Sequence, residues 1–466
     1  MFGLDPTLTF LLIVCLVAAC AFEFINGFHD TANAVATVIY TNSLKPWVAV
    51  IWSGVCNSVG VFTGGIAVAM GISYLIPVEI LTDQNIYHSV ALVMALLITA
   101  IVWNLGTWYF GIPCSSSHTL VGSILGVGLA YSFIAEKSGN YVNWGKASDI
   151  GLSLLVSPIV GFSLTILIMY LLRVSIKNKS IFKAPKTNDP PPFMIRIVLL
   201  LTCTLVSFFH GSNDGQKGIG LVMLILVAIA PSYFALNPNV NLPKVKQEIT
   251  LVDSILHKTI VTQITKEDSL ELAKVLAISN KVNKIISSKQ LDSLTVNEKF
   301  EVRQGAIKLG KEIEKLRKSK TIALSDEDKS SLKASVTGVK TITEYSPSWV
   351  IIMISISLGL GTMIGWKRIV KTIGEKIGKQ HLNYAQGASS ELVAAVTIGM
   401  ATAFALPVST THVLSSGVAG SMVATKGMKN LQGGTIRNIA IAWILTLPVT
   451  IILSGLLFLL FRTLAG

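Results

Sequence analysis

Two short polar motifs each occur twice in this chain, and all four copies lie among long apolar runs. Residues 113–126 read PCSSSHTLVGSILG and residues 407–420 read PVSTTHVLSSGVAG, so both carry a proline, a hydroxyl triplet and a histidine in the same register. Residues 26–34 read NGFHDTANA and residues 210–218 read HGSNDGQKG, and both contain Gly-x-x-Asp. The alternating order of the motifs indicates two internal repeats of one membrane unit.

The spacing of the motifs locates an insertion in the second repeat. Asp30 and Asp214 are 184 positions apart, whereas Pro113 and Pro407 are 294 apart, an excess of 110. Residues 236–346 have nearly this length and contain 19 of the 38 Lys and Arg and 14 of the 25 Asp and Glu. The predicted domains are membrane repeat 1 at 1–172, a basic loop at 173–193, the first part of repeat 2 at 194–235, a polar helical insertion at 236–346, and the second part of repeat 2 at 347–466.

The composition is that of a membrane protein: 51% of residues are hydrophobic, 14% are charged, and the mean hydropathy is +0.63. Because unpaired backbone groups are costly in lipid, the spanning segments must be helices. We predict an all-α polytopic membrane protein with about 10–12 helical segments, some broken or re-entrant. The apolar runs are 7–25, 47–76, 88–112, 118–135, 150–172, 194–209, 219–235, 347–366, 389–406, 412–425 and 437–462.

The net charge of +13 does not indicate a nucleic-acid partner, because much of it lies in loops between apolar runs. Loops 173–187 and 366–379 are strongly basic, so the positive-inside rule predicts that both face the cytoplasm. Apolar residues recur at helical spacing in 267–287 and 301–317, which predicts amphipathic helices in the insertion. The five cysteines have no metal-ligand spacing, and we expect neither disulfides nor a bound cofactor.

The hydroxyl triplets have the pattern of broken helices. A proline ends or kinks the preceding helix, and Ser or Thr residues are preferred caps for the next one. A helix N-terminus offers free N–H groups and a positive dipole end, which together favour a tetrahedral oxyanion. The alternative is that the hydroxyls only satisfy the backbone of a kinked helix. The candidate anion ligands are Ser115, Ser116, Ser117, Ser409, Thr410 and Thr411.

The repeated aspartates are candidate coupling sites. Asp30 and Asp214 each follow a glycine by three residues, which would allow a backbone break, and a carboxylate there could hold a cation or a proton. The alternative is a structural polar network. Lys217 occupies the place that Asn33 has in the first repeat, so its ammonium could neutralise Asp214 or help hold the anion. The remaining coupling candidates are Asn213, His118 and His412, and the histidines either carry protons or only form hydrogen bonds.

Other polar residues fit two interpretations. Glu23 and Glu391 lie in apolar runs, where each could be a proton site or form an interhelical hydrogen bond. The glycine-rich runs at 60–65 and 359–365 are typical of close helix packing, because no strand precedes them as in a nucleotide-binding loop.

At these motifs the sequence resembles the PiT family of inorganic phosphate transporters, and it is most similar to the bacterial low-affinity branch. The resemblance rests on stretches such as NGFHDTANAVATVIYT and HGSNDGQKGIGLVML. It implies inverted repeats, a homodimer in the bacterial inner membrane, and proton-coupled uptake of phosphate, with a neutral complex of phosphate and a divalent metal such as Mg²⁺ as the candidate substrate. It also implies substrate and ion sites at Asp30, Asn33, Asp214 and both hydroxyl triplets.

One departure from the family pattern bears on coupling. Sodium-coupled members of the family are similar to one another in having Asn at the position of Asn33 in both repeats. This chain has Lys217 at that position in the second repeat. We expect the fixed ammonium to replace a bound sodium ion, which leaves protons as the coupling species. The alternatives are sodium-coupled phosphate transport, sulfate transport by the same fold and, less favoured, a membrane enzyme acting on phosphorylated substrates. No nucleophile–base pair is recognisable, so the chain is expected not to be an enzyme.

Overall fold

The computed structural model describes residues 2–75, 80, 85–134, 142–177, 179–185, 190–261, 266–318 and 324–466. Within these ranges the protein is helical without a strand, and the isolated bridge pairs Gly378 with Leu431. The chain divides into two compact units. The membrane unit comprises Phe10–Ile80, Asn85–Ile225 and Ser346–Gly466, and the polar unit comprises Leu226–Tyr345 with the N-terminal residues up to Thr9.

The helices follow the apolar runs and the insertion. Before the insertion they are α1 (Pro6–Tyr40), α2 (Pro46–Thr63), α3 (Ala67–Ser73), α4 (Ile86–Tyr109), α5 (Ser116–Ser132), α6 (Trp144–Ser175) and α7 (Phe193–Ile229). The polar unit contains α8 (Pro231–Phe234), which precedes the insertion, and α9 (Leu242–Val261), α10 (Lys266–Ser288), α11 (Val296–Lys318) and α12 (Asp326–Lys340), which lie within it. After it come α13 (Ser348–Ile364), α14 (Lys367–Lys371), which continues as a π-helical turn (Thr372–Lys376), α15 (Tyr384–Ala403), α16 (Thr410–Lys426) and α17 (Gly433–Ala465).

Six helices of the described chain are long and apolar enough to cross a bilayer: α1, α2, α4, α6, α7 and α17. A seventh candidate is α13 with α14, which bend by 53° at their junction. In two of these regions the apolar runs of the sequence and the helices of the structure have different boundaries. The run at 194–209 and most of the run at 219–235 lie in one continuous helix, α7, which ends at Ile229, whereas the run at 47–76 forms two helices, α2 and α3.

The order of helices repeats as the motifs predict. Helices α1 to α6 and helices α7 and α13 to α17 both run long, medium, short, medium, 17-residue and long. The repeats exchange partners, because α5 packs on α17 and α16 packs on α6. The turn before each 17-residue helix has a left-handed residue at equivalent positions, Gly111 (φ 68°) and Ala405 (φ 55°). An alanine in this conformation costs about 1–2 kcal/mol, so the turn itself is imposed by its surroundings.

The motif glycines serve close helix contacts, and the predicted backbone break at them is wrong. Asp30 and Asp214 lie inside the continuous helices α1 and α7. A Cβ atom on Gly27 would lie 2.5 Å from the backbone nitrogen of Thr362, and one on Gly211 would lie 1.9 Å from the carbonyl oxygen of Asn57. Glycine is therefore required there because a neighbouring backbone occupies the space. The predicted close packing of the other glycine-rich runs is confirmed, for example at Gly60 against Phe208.

The polar unit has its own hydrophobic core, with buried residues from Leu236 to Ile342. Its helices α10 and α11 cover the two segments predicted to be amphipathic. The unit itself begins at Leu226, within the last turn of α7, ten positions before the predicted boundary of the insertion.

Hydrogen bonds connect the basic loops of the membrane unit to one another on one face of that unit, here called the basic face. Both loops predicted to be cytoplasmic contribute to it, although Lys186 lies outside the described residues. The loop between α16 and α17 and the loop between α1 and α2 belong to the same face. The connecting hydrogen bonds run from Arg173 to the Thr425 carbonyl (3.3 Å), Asn383 to the Phe182 carbonyl (3.3 Å), the Lys379 amide to the Asn430 carbonyl (2.8 Å), Arg196 to the Ser43 carbonyl (2.9 Å) and Tyr40 to Glu375 (2.8 Å).

The basic face predicts the orientation of the membrane unit. Lys376 lies on this face, and α17 leaves it at Gly433 and ends at Ala465, so that Gly466 lies about 50 Å away at 1.5 Å per residue. We expect a membrane-impermeant maleimide to label Lys376→Cys only in inside-out vesicles and Gly466→Cys only in right-side-out vesicles. The parent protein with its native cysteines is the control, and labelling of both new cysteines from one side would contradict the orientation.

Candidate substrate site between two broken helices

The two Pro motifs start helices in the predicted way. The side-chain oxygen of Ser115 accepts a hydrogen bond from the His118 amide (3.2 Å), and that of Ser409 accepts one from the His412 amide (3.2 Å). Each serine is the N-cap of its 17-residue helix, which satisfies one of the free amides of the first turn. The first hydroxyl of each triplet therefore fixes the start of its helix, and the second and third are the ones that reach other elements.

The N-termini of α5 and α16 meet inside the membrane unit. The hydroxyl of Ser117 donates to the carbonyl of Val408 (2.9 Å), and the rings of His118 and His412 have their centroids 4.7 Å apart. All six triplet residues are buried, and we call them the hydroxyl cluster. Two positive helix ends thus face one small region, which is the arrangement that favours a bound anion.

Lys217 joins this region from α7. Its ammonium forms an ion pair with Asp214 one turn earlier, and it donates hydrogen bonds to the Ser117 hydroxyl (2.5 Å) and the Val408 carbonyl (2.8 Å). Asp214 also accepts a hydrogen bond from the hydroxyl of Thr410 (3.1 Å). The lysine therefore neutralises the aspartate and contacts both the first triplet and the residue before the second, so the two roles considered from the sequence are compatible.

Asn33 makes the equivalent contact from the first repeat. Its amide nitrogen donates to the hydroxyl of Thr411 (3.1 Å) and lies 3.2 Å from Nε2 of His210. Lys217 and Asn33 thus each reach the third hydroxyl of the opposite repeat. This exchange brings the paired motifs into one site, although they are far apart in the sequence.

Asp30 has a different environment from Asp214. It is 2% exposed, and neither of its carboxylate oxygens has a hydrogen-bond partner among the described residues. The side-chain oxygen of Asn33, one turn later on α1, is likewise without a partner there. A buried carboxylate of this kind requires a cation or a proton, so Asp30 is the strongest candidate for a coupling site.

Asn213 holds the turn before α16. Its amide nitrogen donates to the hydroxyl of Thr402 (2.9 Å) and the carbonyl of Leu406 (3.2 Å), and its oxygen accepts from the Val408 amide (3.4 Å). These bonds use both ends of the amide. The geometry therefore gives Asn213 a positioning role, and the ion contact expected from the sequence stays a prediction.

The two motif histidines form a stack. The ring of His412 contacts the rings of both His118 and Trp443. The ring centroids of His412 and Trp443 are 3.8 Å apart. Nδ1 of His118 and Nε2 of His412 have no hydrogen-bond partner among the described residues. The stack positions both rings at the meeting point of the two helices, and it is compatible with either of the roles considered from the sequence.

Two further polar residues, Asn26 and Glu23, are connected to this region. Ser116 donates to the side chain of Asn26, which in turn donates to Glu23 (3.3 Å). Glu391 lies elsewhere, where it accepts hydrogen bonds from Thr37 and from Thr202 (2.5 Å). From the sequence both glutamates have the same two interpretations, and the connection of Glu23 through Asn26 to a triplet hydroxyl distinguishes it from Glu391. In the described part of the chain, no three His, Cys, Asp or Glu side chains converge as metal ligands.

Comparison with known proteins identifies the family. A family model described as "Phosphate transporter family" matches residues 26–454. The chain belongs to this family. The low-affinity inorganic phosphate transporter of Buchnera aphidicola from Acyrthosiphon pisum is 40% identical over 483 residues, and Escherichia coli K12 PitA is 40% identical over 487, with 97% of both chains covered in each case. A probable low-affinity inorganic phosphate transporter of Bacillus subtilis is 28% identical, with 96% of both chains covered.

The fold of the phosphate transporter family is also recognisable in a solved structure. A chain described as "The sodium-dependent phosphate transporter" matches with a TM-score of 0.55 and 20% identity, and 97% of this chain and 99% of that chain are covered. At this identity the likeness shows the fold alone. Together with the apolar helices, the bacterial relatives identify a multi-pass protein of the bacterial inner membrane.

The contrast between the two aspartates predicts that only one of them contributes to stability. Asp214→Asn leaves the buried ammonium of Lys217 without its charge partner, and breaking such a pair costs roughly 3–5 kcal/mol. Asp30→Asn removes a carboxylate that has no partner in the described chain, so we expect no loss. The melting temperature in detergent should fall for Asp214→Asn alone. The double variant Asp214→Asn, Lys217→Gln is the control and should recover most of the loss, and an equal fall for Asp30→Asn would contradict this account.

Proposed function

We propose that this chain is a secondary transporter that takes up inorganic phosphate together with protons. The observation that carries the proposal is the meeting of two capped helix N-termini at the ammonium of Lys217, which contacts Ser117 and the loop that leads into α16. The relatives with 40% identity are named as low-affinity inorganic phosphate transporters, and none of the three named above is described as an enzyme.

Phosphate fits the chemistry of the cluster. The anion would lie between the first turns of α5 and α16, with Lys217 as the fixed positive charge. It would receive hydrogen bonds from Ser116, Ser117, Thr410 and Thr411 once the first three hydroxyls release their present acceptors, which are Asn26, the Val408 carbonyl and Asp214. The side-chain oxygen of Asn33, which has no hydrogen-bond partner among the described residues, favours phosphate over sulfate, because a protonated phosphate oxygen can donate to it and sulfate has no such donor at neutral pH. An excess of sulfate should therefore compete weakly with labelled phosphate for uptake.

Protons are the proposed coupling ions because of the charge at the site. Lys217 already neutralises Asp214, so the carboxylate that needs a compensating charge is Asp30. A proton removes that charge without further ligands, whereas sodium needs several oxygen atoms around it. If phosphate is transported as a neutral complex with Mg²⁺, the substrate itself adds no net charge to the site. Uptake measured with and without Mg²⁺ tests this form of the substrate.

The exchanged contacts between the repeats support alternating access. We propose that the repeats are inverted relative to each other and that rocking of one against the other exposes the cluster to each side in turn. Since Lys217 and Asn33 each bind the opposite repeat, these two hydrogen bonds are the ones that such a movement would change.

Gradient-driven uptake into proteoliposomes tests the proposal. We expect an imposed pH difference, acidic outside, to drive phosphate accumulation, and a sodium gradient at equal pH to have little effect. Asp30→Asn should lower the pH-driven uptake at least about tenfold while the protein stays in the membrane, because it removes the proton-binding carboxylate. Uptake that requires sodium and ignores pH would overturn proton coupling.

Lys217→Asn tests the replacement of a cation by the lysine. This change gives the second repeat the same residue as Asn33 and leaves Asp214 without its ammonium. We expect uptake in the absence of sodium to fall at least about tenfold, and added sodium to restore part of it by occupying the place of the ammonium. Lys376→Gln on the basic face is the charge-matched control, and a sodium-independent Lys217→Asn protein with full activity would count against the hypothesis.

A further inference from the structure

Four polar residues form a stripe along α1 that leads away from the hydroxyl cluster. Glu23, Asn26, Asp30 and Asn33 are spaced by three, four and three positions, so they lie on one face of the helix. All four are at most 2% exposed. Asp30 and Asn33 belong to the site described above, whereas Glu23 lies two turns before Asp30 and has no role in it so far.

Glu23 is connected to the cluster through Asn26. One carboxylate oxygen of Glu23 accepts a hydrogen bond from the Asn26 amide nitrogen (3.3 Å), and the Asn26 oxygen accepts one from the hydroxyl of Ser116. The other carboxylate oxygen has no partner among the described residues. Ser116 is the first residue of α5, so the chain of hydrogen bonds ends at a hydroxyl proposed to bind phosphate.

Helix α7 lies directly against this carboxyl group. A Cβ atom on Gly218 would lie 2.6 Å from Cδ of Glu23, so glycine is required at the position after Lys217. The charged groups that face Glu23 are Asp214 and Lys217 from α7 and Asp30 from its own helix. The contact that α5 supplies is the neutral hydroxyl of Ser116, by way of Asn26.

The charges in this region do not balance without protons. Three carboxylates, those of Glu23, Asp30 and Asp214, share the one ammonium of Lys217, and full ionisation leaves two uncompensated negative charges. Each uncompensated buried charge costs several kcal/mol, so two protons are needed to make the region neutral. Asp214 holds the ammonium directly, which leaves Asp30 and Glu23 as the two sites where protons would bind.

We propose that Glu23 is a second proton-carrying site of the transporter, connected to the substrate cluster through Asn26 and Ser116. The proton binds the carboxylate oxygen that has no partner, while the other oxygen keeps its hydrogen bond from Asn26. It enters from the water on one side of the membrane and leaves to the other side with the substrate. This inference rests on the proposed proton coupling and adds a second proton per cycle to the one assigned to Asp30.

The variant Glu23→Gln tests the proposal because glutamine keeps the shape and the hydrogen bond from Asn26 but cannot carry a proton. The measurement is the limiting phosphate accumulation in proteoliposomes at a pH difference of one unit, with the membrane potential clamped. Each coupled proton contributes about a factor of ten per pH unit, so we expect a limit about tenfold lower in the variant. Exchange of labelled for unlabelled phosphate at equal pH needs no net proton movement and should persist in the variant.

Glu391→Gln is the matched control. Glu391 is also fully buried in the membrane unit, but both its oxygens accept hydrogen bonds from threonine hydroxyls, Thr37 and Thr202. We expect this variant to keep the accumulation limit of the unaltered protein. If unaltered protein shows no pH-driven uptake, the proposed coupling fails; if it does and Glu23→Gln reaches the same limit, only the role of Glu23 is overturned.

A second variant tests the proposal if Glu23→Gln does not fold or does not exchange phosphate. Glu23→Asp keeps a carboxyl group on a shorter side chain, so the proton is retained but its environment changes. We expect the full accumulation limit with a displaced pH profile of exchange. A purely structural role predicts an unchanged profile with reduced amounts of folded protein, and that result would overturn the proposal.

Discussion

The ammonium of Lys217 is the group on which the arrangement of the site depends. A buried charge is tolerated only when it is paired and its hydrogen bonds are satisfied. Its partners come from three elements: Asp214 on α7, Ser117 on α5 and the carbonyl of Val408 before α16. Because these elements belong to both repeats, satisfying one ammonium brings the two helix N-termini together, and the hydroxyl cluster follows from that contact.

The two repeats have nearly the same framework and different charges. Asn33 and Lys217 both cross to the third hydroxyl of the opposite triplet, but only the lysine can neutralise the aspartate one turn before it. Asp214 is therefore permanently paired, whereas Asp30 has no partner in the described chain. A single difference between equivalent positions gives one half a fixed cation and the other half a carboxylate that must acquire its charge partner from solution.

Local signals in the sequence predicted the helix starts, because a proline and a capping hydroxyl act within one turn. The repeated motifs also predicted which residues converge. The role of Gly27 and Gly211 was not predictable, since glycine suits both a bent backbone and a close neighbour, and only the backbones of Thr362 and Asn57 decide between them. Likewise Glu23 and Glu391 have equally apolar surroundings in the sequence, and their hydrogen-bond partners alone separate them. Contacts between distant segments carry that information.

The polar unit shows how about 110 residues are accommodated between two membrane helices. Its two ends are hydrogen-bonded to each other: the Asn237 amide donates to the Ile342 carbonyl (2.8 Å), and the Asn237 side chain donates to the Thr341 carbonyl (3.0 Å). The insertion therefore closes on itself around its own core, and the chain returns close to where it departed. Since the cost of closing a loop grows slowly with its length, such an insertion adds little constraint to α7 and α13. The residues of the candidate site named above all belong to the membrane unit.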